Sequence, residues 1–387
     1  MTSIHRGVLF PVYLPAVFLG VPAQAVLILL PLYVLELGGS VAAASAVVGL
    51  RGVGMMVADI PAGMLAGRFG DRVVMLFAMI LIGSAYLTYA LVNEVSWFYL
   101  LAFINGAGSS TFLLGRMSYI TAACSPRERG RVISMIAGSM RGAALLGPLA
   151  GAALAEFIGF EATFMCLAAT VVLGFLCVAM TAIDDPPDLK KMRWRAVTDL
   201  AFEYRGVFAT AGIASITFML MRAARTVLIP LLGAELGLET TVIGLVVSVS
   251  AIIDVALFYP AGMIMDRHGR RATAVPSSIL FAAALAALSL ANDFYSLLAV
   301  AIVLGVANGL STGIVMTLGT DLAPAARRGE FLGLWRLLTD LGSAAGPLTV
   351  SLAVTLGSIQ AAALCVGALG AAGSLVVYRF VEETLKR

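Results

Sequence analysis

The sequence is short of charge, of histidine and of clustered cysteine, and each shortage excludes a class of protein. Only 12% of the 387 residues are charged, whereas soluble globular proteins carry about 25%, so the composition predicts a membrane protein. The two histidines, His5 and His268, both stand beside charged residues, which leaves none inside an apolar segment for a metal centre or a proton relay. The four cysteines lack ligand spacing. We interpret them as small packing residues and predict no metal and no other cofactor.

Long apolar runs replace the missing charge, because 60% of the residues are hydrophobic and the mean hydropathy is +1.00. A helix needs about 20 apolar residues to cross a membrane. The first run continues past the cleavage-like segment Pro22–Ala25, so we expect it to be retained as a helix rather than removed as a signal peptide. We predict an all-α membrane protein with twelve spans, at residues 8–34, 41–66, 73–93, 97–123, 131–156, 160–183, 205–232, 240–265, 272–292, 295–320, 330–355 and 358–381.

The chain is an internal duplication with a constant offset of 199 residues. The segment Leu29–Gly38 matches Leu228–Gly237, and Pro61–Arg72 matches Pro260–Arg271. Four such landmarks at one spacing indicate two parallel repeats of six spans each. We therefore predict a six-helix bundle at 1–183, a polar linker at 184–204 and a second six-helix bundle at 205–387.

Lysine and arginine alternate from link to link along the chain. Five links carry basic clusters, whereas the links between them hold only acidic or neutral residues. The positive-inside rule then predicts that both termini are cytoplasmic. The basic clusters are short and account for topology, so we predict no nucleic-acid binding. The partners expected are a small-molecule substrate and the lipid bilayer, in the cell membrane and, given the short loops, in a bacterial inner membrane.

The six-span duplication and one loop motif resemble the major facilitator superfamily over the whole chain. The motif follows the second span of the second half and consists of Gly262, Asp266, Arg267, Gly269, Arg270 and Arg271. The first half keeps Gly63, Arg68, Gly70 and Arg72, with Gly67 and Asp71 where the second half has Asp266 and Arg270. The resemblance implies a monomeric secondary transporter that works by alternating access and is not an enzyme.

In the family, the aspartate of this motif caps an adjacent helix of the opposite half and braces the outward-facing state. Transferred to this sequence, that role falls to Asp266, which would cap the start of the fifth span. A carboxylate is favoured there because a helix N-terminus presents free N–H groups and a positive dipole end. Gly67 cannot act in this way. We therefore expect a strong contact between the second-half motif and the fifth span, and a weak or rebuilt one between the first-half motif and the eleventh span.

The fifth span is similar to a Gly-rich element of the family's proton-coupled antiporters, many of which export drugs. The similarity lies in the segment Gly138–Gly151, with Gly147 and Pro148 as its conformational element. Small residues also permit close helix packing, and the same Gly-Pro pair recurs at Gly346–Pro347, so both interpretations stay open. One departure concerns the fourth span, where Ala102 occupies the position at which such exporters carry an arginine.

Nine charged residues fall well inside the predicted spans, away from the span ends. A charge at mid-bilayer costs about 2.5–3.5 kcal/mol even on a mild scale, so these residues should pair with one another or face the interior. Arg336 and Asp340 are spaced to pair along one helix, and Arg116, near the cytoplasmic end, is interpreted as structural or snorkelling. The nine are Arg51, Arg116, Arg141, Arg222, Arg225, Arg336, Asp59, Asp254 and Asp340.

Roles follow from depth and chemistry. We assign substrate binding to Arg51, Arg141, Arg222, Arg225, Gln24 and Asn308. Proton coupling is assigned to Asp254, Asp340 and Asp59, and a gating role to Arg336 together with the two loop motifs. Since arginine binds carboxylate and phosphate, the excess of arginine predicts an anionic or zwitterionic amphiphile as the substrate. The resemblance to the family's antiporters implies that this substrate is exported in a proton-coupled manner. Polyspecific drug–proton antiport and import of an organic anion are the alternatives.

Overall fold

The computed structural model describes residues 9–124, 126–182, 194–381 and 383–384. Twelve helices within this part of the chain are long and apolar enough to cross a membrane. They are called spans 1 to 12 below. Their bounds are Phe10–Glu36, Val41–Phe69, Asp71–Leu91, Val95–Ala123, Gly130–Ile158, Phe160–Thr181, Arg205–Glu235, Thr240–His268, Arg271–Leu290, Phe294–Leu322, Arg328–Leu356 and Ile359–Phe380.

The predicted all-α fold and its twelve spans are confirmed. The largest differences are three residues, at the ends of spans 2, 7 and 8. In spans 2 and 8 the helix continues past Pro61 and Pro260 through most of the loop motif and ends at Phe69 and His268, directly before Gly70 and Gly269. Those two glycines have φ of 82° and 98°, a backbone region that side chains disfavour. The motif is therefore mainly the last turns of a helix and only at its end a loop.

Several spans are irregular at one point. Span 1 begins with a π-helical turn at Leu9–Tyr13, and span 7 contains another at Phe208–Gly212. Span 9 ends in a 3₁₀ turn at Leu288–Leu290, while span 10 is interrupted between Phe294–Ser311 and Ile314–Leu322. Span 10 begins with a capping box, in which the Asp293 carboxylate accepts a hydrogen bond from the Ser296 backbone N–H (2.8 Å). The hydrogen bonds from Ser296 lower the pKa of Asp293.

The predicted linker contains a helix that the sequence analysis does not anticipate. This helix runs from Trp194 to Glu203. Residues 183–193, which hold most of the polar linker sequence, lie outside the described residues. A short helical segment follows at Arg205–Val207 and leads into span 7.

The chain divides into two compact units. The first comprises Met1–Gly39 and Leu50–Met192, and the second comprises Ser40–Gly49 and Arg193–Arg387. Residues 40–49 belong to the second unit although they begin span 2. In keeping with this, the Ser351 hydroxyl donates a hydrogen bond to the backbone carbonyl of Ala42 (2.8 Å).

The two repeats share their backbone packing at the same offset that their sequences share. A Cβ on Gly147 would lie 2.7 Å from the Cβ of Gln24, so span 5 approaches span 1 as closely as a glycine allows. A Cβ on Gly346 would lie 2.8 Å from the backbone N of Ala224, which brings span 11 against span 7 in the same way. Small residues permit such close approach of two helices.

A hydrogen bond closes each repeat at the loop end of the bundle. In the first unit the Arg72 guanidinium donates to the backbone carbonyl of Ala179 in span 6 (2.5 Å). In the second, Arg271 donates to the carbonyl of Tyr378 in span 12 (2.6 Å). Donor and acceptor are both displaced by 199 residues, so the last basic residue of the motif secures the final span in each repeat.

Candidate substrate cavity and charge clusters

A cavity of about 250 Å³ lies among spans 1 to 5 within the first unit. Its walls are largely apolar, with Leu27, Ile82 and Leu113 among the lining residues. The side chains that can bind a polar ligand there belong to two arginines, a tyrosine, an amide and a hydroxyl: Arg51, Arg116, Tyr86, Gln24 and Ser109. No aspartate or glutamate is among the described residues that line this cavity. Two of the predicted substrate residues, Arg51 and Gln24, are therefore brought together.

Arg51 is held in place by span 4. Its Nε donates a hydrogen bond to the Oδ1 of Asn105 (2.9 Å), and its Nη1 lies 3.9 Å from the sulfur of Met55. Asn105 is fully buried, and its Nδ2 has no hydrogen-bond partner among the described residues. The amide thus orients the guanidinium without neutralising its charge.

Arg116 lies where the sequence analysis did not expect it. It is interpreted there as structural or snorkelling, and in the structure only 3% of it is exposed and it lines the same cavity as Arg51. Its guanidinium lies over the ring of Phe112 (5.4 Å to the centroid) and 3.8 Å from the sulfur of Met140. Among the described residues its Nε has no partner. The sequence carries a signal for this, because Ser109, Phe112 and Arg116 share one face of span 4 at helical spacing.

The second unit holds a different cluster around Asp254. Its carboxylate accepts hydrogen bonds from the Asn308 amide (2.5 Å) and from the Thr312 hydroxyl (3.1 Å). Arg222 and Arg225 both interact electrostatically with Asp254. The two arginines also donate hydrogen bonds, Arg222 to the Ser311 hydroxyl (2.9 Å) and Arg225 to the Leu304 carbonyl (3.5 Å). A predicted proton residue and three predicted substrate residues, Asn308 included, are thus neighbours.

The remaining charges of the spans do not line the first-unit cavity. Arg336 and Asp340 form the expected pair along one helix, with 3.5 Å between Nε and Oδ2. Asp59 accepts a hydrogen bond from the Ser110 hydroxyl. Arg141 lies in span 5 and is partly exposed, and it does not line the first-unit cavity.

The complete loop motif of the second unit is an ion-pair network. The Arg270 guanidinium donates to Asp321 in span 10 (3.0 Å) and lies 3.4 Å from Asp266. Asp266 is 79% exposed at its side chain, and its predicted role as a cap for span 5 stays a prediction. Thr384 donates a hydrogen bond to the same carboxylate of Asp321 (2.7 Å). Arg267 is exposed and Gly262 is partly exposed.

The third span of each repeat has a carboxylate at its start, but the residue that provides it differs between the repeats. In the first unit Asp71 is itself the first residue of span 3 and is buried. In the second unit the equivalent residue is Arg270, and Glu383 beyond span 12 replaces the acid. Its two carboxylate oxygens accept hydrogen bonds from the backbone N–H groups of Arg270 (2.8 Å) and Arg271 (3.1 Å). A carboxylate satisfies the free N–H groups of a helix N-terminus.

The rest of the first motif is less constrained. Arg68 is exposed and lies over the ring of Phe69 (5.2 Å to the centroid). Gly63 is exposed, and a Cβ there would meet no atom within 4 Å. The gating roles of Gly63, Arg68, Gly70 and Arg72, and of Gly147 and Pro148, stay predictions.

A larger cavity of about 700 Å³ lies between spans 9 and 12 of the second unit. It is lined by alanine, glycine and other apolar residues together with Ser374 and Tyr378, and the described lining holds no charged side chain. Size alone therefore does not make it a substrate site, since a specific ligand site needs polar groups that fix the ligand.

Comparison with known proteins agrees with this architecture. The sequence pattern that defines the Major Facilitator Superfamily matches residues 13–196 and 211–387. The chain is similar to the multidrug resistance protein MdtH of Aeromonas hydrophila, at 24% identity over 326 residues that cover 81% of this chain and 79% of that protein. It is similar to MdtH of Shigella flexneri at 21% identity over 320 residues, covering 81% and 78%.

Solved structures share the fold at low sequence identity. A D-xylose-proton symporter has a TM-score of 0.77 at 18% identity and covers 99% of both chains. A POT family transporter in complex with a thioalcohol-conjugated peptide has a TM-score of 0.79 at 13% identity and covers 97% of this chain and 95% of that chain. The family predicted from the duplication and the loop motif is confirmed: this chain is a multi-pass membrane transporter, not an enzyme, and it belongs to the Major Facilitator Superfamily.

Proposed function

We propose that the protein exports an anionic or zwitterionic amphiphile in exchange for protons, in a bacterial inner membrane and with both termini in the cytoplasm. The observation that carries the proposal is the first-unit cavity, which combines two arginines and apolar walls with no carboxylate among its described lining residues. Arginine remains charged at any physiological pH. A ligand that enters this cavity must therefore satisfy positive charge and apolar surface at the same time.

The same physics argues against a cationic substrate at this site. A second positive charge in a region of low dielectric constant is repelled by Arg51 and Arg116. An anion gains charge-assisted hydrogen bonds, which are shorter and stronger than neutral ones. Leu27, Ile82 and Leu113 offer an apolar body of the ligand the surface that it needs.

Asp254 is the carboxylate best placed to couple protons to transport. It accepts two hydrogen bonds, and its charge attracts the two neighbouring arginines. Protonation removes that charge and weakens the attraction to Arg222 and Arg225. We infer that proton binding and the binding of an anion compete for these arginines, which is the linkage that an antiporter requires.

Polyspecific drug export is the second candidate. It is favoured by one observation, that the MdtH relatives are named multidrug resistance proteins. The name also favours export over import of an organic anion. Drug export predicts broad recognition of cationic amphiphiles, which a cavity without described acidic lining does not support.

Transport in proteoliposomes with an imposed pH gradient tests the proposal. We expect transport of anionic amphiphiles driven by the gradient, with cationic amphiphiles of equal size neither transported nor inhibitory. Arg51→Gln should reduce anion transport by about tenfold or more, because it removes a charge-assisted contact, and Arg51→Lys should retain part of it.

Arg379→Gln is the matched control, since Arg379 is exposed and the substitution removes the same charge. Transport of cations alone, or equal activity of Arg51→Gln and the wild type with an anion, would refute the proposal.

A further inference from the structure

We propose that Arg51 and Arg116 are the two ends of one elongated site, and that its ligand is an amphiphile with an anionic group at each end and an apolar body between them. This inference rests on the proposed function and specifies the substrate class of the same cavity. It also assigns to Arg116 a binding role in place of a structural one.

The separation of the two arginines sets the shape of the ligand. Arg51 is hydrogen-bonded to Asn105 of span 4, and Arg116 lies eleven residues further along that helix. Eleven residues correspond to about 16 Å along a helix axis at 1.5 Å per residue. This is the separation of the two backbone positions, and the Arg116 guanidinium reaches back one turn over the Phe112 ring. We infer that the two charged groups still lie too far apart for one carboxylate or phosphate to contact both. Phe112 and Leu113 line the cavity between them, so the intervening stretch favours an apolar chain.

The electrostatics set the charge of the ligand. Neither guanidinium forms an ion pair with any described residue, and Arg116 is almost completely buried. The contacts of Arg116 with the Phe112 ring and the Met140 sulfur are attractive but leave its charge uncompensated. A buried charge without a counter-charge is costly. A ligand with one anionic group compensates one arginine, whereas a ligand with two compensates both.

The second repeat has an arginine at neither of the two positions that form the ends of this site. The residues equivalent to Arg51 and Arg116 are Ser250 and Val315. The arginines are therefore not remnants of a framework that both repeats need, because the second repeat maintains the same helix packing without them. Their joint presence in one cavity is accounted for by a ligand that uses both.

Binding to the purified full-length protein tests the inference, with octanedioate and octanoate as probes of similar length that differ in one carboxylate. Thermal stabilisation as a function of ligand concentration measures the affinity. We expect octanedioate to bind about tenfold more tightly than octanoate, the effect of one additional charge-assisted contact. Among diacids, an intermediate chain length should bind best, because short chains cannot span the arginines and long chains exceed the cavity.

Variants of Arg116 test whether each arginine binds one of the two carboxylates. Arg116→Gln should abolish the preference for octanedioate while binding of octanoate at Arg51 is retained, and Arg116→Lys should restore part of the preference. Arg379→Gln should leave both affinities unchanged. Equal binding of the two probes by the wild type, or an unaltered preference in Arg116→Gln, would overturn the two-ended site while the proposed anion transport stands. If no anion stabilises the protein and cations do, both the inference and the proposed function are wrong.

Discussion

The contact between the second and fourth helices of each repeat holds a partly buried charge, and the sign of this charge is opposite in the two repeats. In the first repeat Arg51 of span 2 donates to Asn105 of span 4. In the second, Asp254 of span 8 accepts from Asn308 of span 10, one helical turn further along both helices. At the position equivalent to Asp254 the first repeat has Met55.

The comparison shows that two repeats with the same backbone packing carry different charged side chains. The backbone contacts are conserved between the repeats, since Gly147 and Gly346 bring equivalent helices together. The charged side chains are not conserved, because each repeat needs a different chemistry. We interpret the first repeat as the half that holds the ligand cavity and the second, where acid and arginines lie together, as the half in which proton binding and anion binding compete.

The largest effect should come from removing the acid that distinguishes the second repeat. Asp254→Asn keeps a hydrogen-bonding side chain but cannot change charge, so transport driven by a pH gradient should fall by about a hundredfold, the lower range for loss of a proton-transferring group. Binding of octanedioate in the first-unit cavity should be unchanged. Stopped-flow fluorescence of a pH dye in proteoliposomes measures the first, and thermal stabilisation the second.

Asp340→Asn is the informative companion variant, because Asp340 is the repeat equivalent of Arg141 and pairs with Arg336. We expect a smaller loss from it than from Asp254→Asn. A proton flux that survives both substitutions would remove the assignment of coupling to the second repeat.

An intermediate effect is expected where the repeats are alike. Gly147→Ala and Gly346→Ala should each destabilise the protein by about 1–3 kcal/mol, the usual cost of overpacking, because each adds a methyl group against the facing helix. Gly138→Ala, in the same span as Gly147, should have almost no effect, since a Cβ there meets no atom within 4 Å. The half-life of binding activity during heating in detergent measures the difference. If Gly147→Ala and Gly346→Ala destabilise the protein by clearly different amounts, only one repeat uses this contact for rigidity.

The smallest effect concerns the start of the third helix in each repeat. Glu383→Gln should weaken the cap of span 9 by about 0.5–1 kcal/mol, the usual range for a carboxylate at an exposed helix N-terminus. Hydrogen exchange at the amides of Arg270 and Arg271 should become faster, while the start of span 3, which carries its own Asp71, should not change. An unaltered exchange rate at span 9 would mean that the backbone N–H groups find another acceptor.

The spans and the duplication were predictable from sequence because each depends on a pattern that extends over many residues. The apolar runs end where polar links begin, and the offset of 199 residues reappears in packing as the contacts of Gly147 and Gly346. The pair of Arg336 and Asp340 was predictable for a different reason, since a spacing of four residues on a helix places two side chains together.

The missed features depend on contacts between distant segments. Ser109, Phe112 and Arg116 share one face of span 4, but the sequence does not say which neighbouring spans that face meets. In the structure it lines a cavity together with residues of spans 1 and 5. The partnership of Glu383 with Arg270 and Arg271 joins residues more than a hundred positions apart. Arg270 stands where the first half has Asp71, and only the structure shows that Glu383 supplies the acid at that helix start.

Because of Glu383, the third helix of each repeat acquires its N-terminal carboxylate at a different time during synthesis. Chains emerge from the ribosome N-terminus first, so span 3 has its acid as soon as Asp71 is made. Span 9 must wait until span 12 and the residues after it have been released, because only then can Glu383 reach Arg270 and Arg271. The cap of span 9 can therefore form only in molecules that have been translated beyond span 12.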